Sequence, residues 1–185
     1  SSSATFAAYP DRSIRLVVPF ATGGTSEIVA RSVASMLTNS LGQSVYVDNK
    51  PGGAGNIAMD EVKRANPDGY TLMLGHVGTL AVNPALFGKK LPYDPNKDFA
   101  PVTLVAKVPN VIAVSEKSKY KSLGDLIADA KKNPGKINYG SAGNGSAGHL
   151  AMEYFCSEAG IDLVHVPYKG SGPMLTDLIG GQIQA

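Results

Sequence analysis

The chain has one cysteine, Cys156, among 185 residues. No disulfide can therefore form within it. Cys156 falls in an apolar helical run, where an unpaired thiol behaves as a small hydrophobe. A nucleophilic thiol wants a neighbouring base and electropositive surroundings, and neither is visible. The formal net charge is only +2, with no run of Lys or Arg, so nucleic acid is not an expected partner. No apolar stretch approaches the roughly 18 residues of a membrane span. The opening "SSSATFAAYP" lacks the basic start and long apolar core of a signal peptide. It fits the tail left after signal removal, and a cloning remnant equally.

Several catalytic signatures are missing too. No loop ends in the Gly-Lys-Ser/Thr of a phosphate-binding P-loop. Neither Ser141 nor Ser146 sits in Gly-x-Ser-x-Gly. His76, His149 and His165 are widely separated and form no His-x-x-x-His or Glu-x-x-His pair, so no metal is expected. No cofactor is expected either.

What is present is an alternation of strand and helix patterns. "IRLVVPF" reads as a strand, then "EIVARSVASML" puts Ile28, Val29, Val33, Met36 and Leu37 on one helical face. Thr25 or Ser26 is the expected N-cap, with Glu27 in the first turn. "SVYVDN" and "YTLML" read as further strands. Between them the loop "KPGGAGN" leads to a helix that Asn56 is placed to cap. A short helix is expected near Leu80–Leu86. The stretch "GKKLPYDPNKDFAP" is a link between units. Beyond it "VTLVAKV" and "NVIAVS" have strand character, and Ser122-x-x-Asp125 opens a helix with a capping-box pattern. Strand "KINYGS", a helix over 146–159, strand "DLVHVPY" and helix "PMLTDLI" follow. "GGQIQA" has the look of a strand's start, as though the fold continues.

This alternation predicts an α/β fold with parallel sheets covered by helices. Ligands of such sheets bind beyond the strands' carboxyl ends. Three glycine loops lie there: "ATGGTS", "GHVGT" and "GSAGNGS". Each joins a strand to a helix start, whose unpaired N–H groups and dipole favour an anion. Alternatively, the glycines merely make tight turns. Gly143-x-Gly145-x-x-Gly148 has dinucleotide-loop spacing. However, the acid expected about 20 residues on is misplaced: Asp162 begins the next strand, which ends in Pro167-Tyr168-Lys169. An α/β enzyme holding a phosphorylated or nucleotide substrate at Gly143–Ser146 stands as the alternative. His165 lies inside an apolar strand and reads as a satisfied core histidine. His149, in the first turn after the loop, either faces a ligand or bonds a nearby carbonyl.

In order and spacing, "YPDRSIRLVVPFATGGTSEIVAR", "GQSVYVDNKPGGAGNI", "PDGYTLMLG", "NPALFGKKLPYDPNKDFAPV", "PGKINYGSAGNGSAGHL" and "HVPYKGSGPMLTDLIGGQIQ" resemble the Bug family, the extracytoplasmic solute receptors of tripartite tricarboxylate transporters. The resemblance implies a non-catalytic periplasmic binding protein of Venus-flytrap form, type II-like. Each of its two lobes would be a sheet flanked by helices, here residues 1–100 and an incomplete 101–185. It implies a small carboxylate ligand, membrane transporter subunits as partners and a signal peptide already removed. It also implies a longer chain that returns to the first lobe, a segment missing here. An unpaired sheet edge would then favour self-association.

The resemblance places ligand contacts at Phe20, Ala21, Gly23, Gly24 and Thr25 on one side. On the other it places Ser141, Gly143, Asn144, Gly145 and Ser146. Gly78 and Thr79 come from the third loop, with His149 as a further candidate. Tyr168 is either a contact or a residue that packs the strand end. Four charged hydrogen bonds at about 1.5–3 kcal/mol each, plus two helix starts, give a gross attraction on the order of 10 kcal/mol before association costs. On that reckoning the grip needs no Lys or Arg, and neither loop contains one.

Overall fold

A computed structural model describes residues 8–185. The opening residues 1–7, including most of "SSSATFAAYP", lie outside the described part. Five strands and six α-helices order the described residues. Strand β1 (Ile14–Val18) leads to α1 (Thr25–Leu41), β2 (Val45–Asn49), α2 (Asn56–Lys63), β3 (Thr71–Met73) and α3 (Asn83–Phe87). Helix α4 (Leu123–Lys132), β4 (Asn138–Ser141), α5 (Ala147–Ala159), β5 (Val164–Pro167) and α6 (Ser171–Gly180) follow.

All strand pairs are parallel. β1 lies between β2 and β3, with Leu16 opposite Val47 and Leu72. β4 pairs with β5, Tyr139 opposite His165. Helical crossovers are what parallel neighbours require. Two cores result. One packs Ile14, Leu16 and Val18 against Ala30, Ala34 and Val45; burying each large apolar chain contributes about 1.5–3 kcal/mol. The other packs Tyr139, Leu126, Met152, Leu163 and Cys156. Cys156 is a buried thiol whose pKa burial pushes up.

The anticipated strands in "VTLVAKV" and "NVIAVS" do not form. Residues 101–114 run without helix or strand, and Val102 and Val111 are more than four-fifths exposed. β-propensity becomes a strand only where a partner edge exists, and nothing described pairs with this segment. The α1 face also differs from expectation. Ile28 and Met36 face solvent while Glu27, Ala30 and Ala34 are buried, and of the expected face Leu37 packs against the β1 core. Its N-cap is Gly24, without a side-chain cap. The Glu27 carboxylate instead reaches back to accept the Gly23 N–H at 2.6 Å, which holds its pKa below the usual range together with Arg31. Helix α2 is capped by Gly55, not Asn56, whose side chain accepts from Asn83. The Ser122–Asp125 capping box is present in both directions. The final residues behave as a strand's start: Gln184 N–H donates to Asn138 O, and Gly140 N–H to Ala185 O.

Candidate functional site

Because β1, β2 and β3 are parallel, the loops after them gather at one end of their sheet. The loops after β4 and β5 gather likewise. The two sets meet along two seams. At the first, the Ala21 N–H donates to the Lys169 carbonyl at 2.7 Å, and Gly23 and Gly24 pack on Gly172 and Ser171. At the second, Gly78 lies against the Gly145 carbonyl, and Gly145 against Asn83, Val82 and Leu86.

Next to these seams is a cleft of about 460 Å³, within the usual range for small-molecule sites. One wall is Pro19, Phe20, the Gly52–Asn56 loop, His76 and Phe87. The other is Ala142, Gly143, Asn144, Ser146 and Pro167–Lys169. Ser146 caps α5 by accepting the His149 N–H, and the loop before it crosses the cleft wall. Gly143 takes φ +127°, and a Cβ there would stand 2.9 Å from the Tyr168 carbonyl. Only glycine lets the loop lie this close to the end of β5. The Asn144 N–H has no bonded partner among the described residues. Ala54 is a non-glycine residue at φ +56°, and backbone held this way tends to concentrate at binding sites.

Phe20, Gly143, Asn144, Ser146 and Tyr168 thus line one cleft. Ala21, Gly23, Gly24 and Thr25 do not line it; Ala21, Gly23 and Gly24 form the adjoining seam. Gly78, Thr79, Ser141, Gly145 and His149 stand a layer behind. Thr79 and Ser141 are fully buried. Ser141 Oγ accepts the Gly143 N–H and lies 2.6 Å from His165 Nε2, so His165 is a satisfied histidine. Burial, then the neighbouring His149, holds the His165 pKa down. His149 stacks on His165 at 3.9 Å, and its Nδ1 accepts the Gly145 N–H at 3.0 Å. It bonds an amide of the loop rather than a carbonyl. Tyr168 OH donates to Asp177 at 2.7 Å; burial and that carboxylate push its pKa up to about 12.

Three features were not anticipated: the Gly52–Asn56 loop, His76 and Lys169. Lys169 alters the expectation of a cleft without cations. It is exposed, lines the mouth and has no carboxylate partner among the described residues. No group of three or more metal-binding side chains occurs among the described residues. No helix there is long and apolar enough to cross a membrane.

A family model described as the tripartite tricarboxylate transporter family receptor matches residues 29–185. The chain belongs to that family. Protein BugT of Bordetella pertussis is 40% identical over 178 residues, which are 96% of this chain and 54% of that protein. The receptor chain spans about half the length of the curated relatives it matches. Its fold is the α/β fold of periplasmic binding protein structures. A periplasmic transporter superposes with TM-score 0.92 at 51% identity, covering 96% of this chain and 59% of that one. R. palustris Rpa4515 with adipate gives 0.91 at 42%, covering 95% and 58%. MatC from Rhodopseudomonas palustris with bound malate gives 0.87 at 35%, covering 95% and 60%.

Proposed function

We propose that this receptor chain captures a small carboxylate in the periplasm for a tripartite tricarboxylate transporter, without transforming it. Two lobes, 1–100 and 101–185, would close on the acid as a hinge allows. The observation that carries the reading is that loops after β1, β2 and β3 share one cleft with the loops after β4 and β5. The acid group sits at the Ala142–Ser146 loop, with the Asn144 N–H as donor. Phe20 walls the carbon skeleton. Lys169 adds a positive charge at the mouth, which raises the local concentration of anions. Carboxylates bound by the relatives Rpa4515 and MatC support the same class of ligand.

The residues beside the cleft suit binding rather than turnover. Ser141 and His165 are adjacent but stand behind the loop, and Ser141 is 2% exposed. The Gly143 N–H bonds the serine instead of presenting itself to a substrate. Titration calorimetry of the full chain with mono-, di- and tricarboxylates tests the reading. A one-to-one isotherm with at least one acid, and no product after prolonged incubation, is expected. Turnover of the bound acid, or no heat with any of them, contradicts it.

A further inference from the structure

His76 is held by its own loop. Its Nδ1 accepts the Gly78 N–H at 2.9 Å, which puts the ring proton on Nε2. That Nε2 is buried and has no hydrogen-bond partner among the described residues. The ring lies against Phe20, centroids 4.5 Å apart, and lines the cleft that Gly143 and Asn144 line from the other unit. Gly55 stands beside Nε2: a Cβ there would come within 3.9 Å of it and within 2.5 Å of Thr79 Cγ2. Glycine at this position avoids a clash with Thr79 and Pro19 beside the nitrogen. Buried polar groups almost always find partners, and this unpaired one belongs to a ring that lines the cleft.

A second proton on the ring would turn Nδ1 into a donor facing the Gly78 N–H. Burial opposes it as well, pushing the pKa down to about 4. The ring is therefore neutral, with an uncharged N–H at Nε2. We propose that His76 Nε2–H is a specificity-determining donor that requires an acceptor oxygen on the ligand beyond the carboxylate held at Ala142–Ser146. This rests on the carboxylate reading above and refines it. Hydroxy acids and dicarboxylates meet the requirement. A plain alkanoate leaves the donor unpaired, and an ammonium placed there opposes donor to donor. Sites built around a hydrogen bond reject ligands lacking the partner far more strongly than apolar pockets reject an extra methylene.

The test titrates the full chain with malate, succinate and adipate beside butyrate and hexanoate, the plain alkanoates of matching length. Wild-type protein should prefer the best of the first three over its counterpart by at least about tenfold. His76→Leu should erase that preference by weakening the oxygen-rich acid alone, and His76→Gln, which keeps an N–H donor, should recover most of it. Imidazole nitrogen NMR of the wild type gives a readout independent of any variant's folding. The Nε2 resonance should move on saturation while Nδ1 stays an acceptor. An unmoved Nε2 resonance, or unchanged selectivity in a folded His76→Leu, overturns this proposal and leaves the receptor reading standing. No binding of any acid by wild-type protein sinks the carboxylate reading, and the role of His76 with it.

Discussion

Gly172 lies hard against Thr22: a Cβ built on Gly172 would stand 2.2 Å from the Thr22 carbonyl oxygen. The contact is backbone on backbone, so no side-chain rotation relieves it. It joins the loop after β1 to the first turn of α6. The Ala21 N–H bond to the Lys169 carbonyl lies next to it.

Gly172→Ala should therefore force this seam apart while both cores stay folded. With the mouth propped open, the bound acid regains water and its hydrogen bonds weaken. The expected loss of affinity is at least about tenfold, or roughly 1.4 kcal/mol. Calorimetry measures it, and far-UV circular dichroism checks that the helices survive.

Ser141→Ala removes the hydroxyl between the Gly143 N–H and His165 Nε2. Both partners are half-buried, so the cost falls toward the lower part of the roughly 1–3 kcal/mol of an unpaired buried polar group. Urea unfolding should show a loss of that size. Ligand affinity should fall as well, because the Gly143 backbone loses its tether.

Much of the fold was legible in the residues. Alternating strand and helix patterns located all five strands, and the capping box at Ser122 formed as its spacing required. Two kinds of error have physical causes. Strand-like composition over 102–115 gained no pairing partner, so it formed no strand and stayed mostly exposed. Ile28 and Met36 fitted an apolar stripe, but the face of α1 turned to its sheet carries Ala30 and Ala34, with Leu37 the member of the stripe that packs there.

The candidate site was legible in half. Phe20 and the Gly143 loop stood out by their glycines and their place between strand and helix. The Gly52–Asn56 loop carried the same signal and was passed over as a connection. Parallel order could have flagged it, since it leaves β2 at the sheet end shared with β1. His76 lies within the "GHVGT" loop and Lys169 follows Tyr168 at the end of β5, so both stood at ligand-side strand ends, where glycines and hydroxyls drew the attention instead.

Acid should weaken the fold partly through His76. Its folded pKa, about 4, lies below the ordinary 6.5. The unfolded chain therefore binds more protons between those values, and stability falls as pH drops from about 6.5 toward 4. The burial-driven shift sets an upper scale of about 3 kcal/mol. His165, shifted the same way, adds to the slope. Urea midpoints across that window should decline in wild-type protein and decline less steeply in His76→Leu.

Ser122→Ala serves as a remote control. It removes the reciprocal cap on α4, far in sequence from the cleft-lining residues. A loss of about 1 kcal/mol in stability is expected, with ligand affinity unchanged.

The most direct measurement is a crystal structure of the full chain with the tightest acid from the titration panel. A carboxylate within hydrogen-bonding reach of the Asn144 N–H, with its carbon skeleton against Phe20, is the predicted result. An acid seated away from the cleft between Phe20 and Gly143–Ser146 would contradict the account.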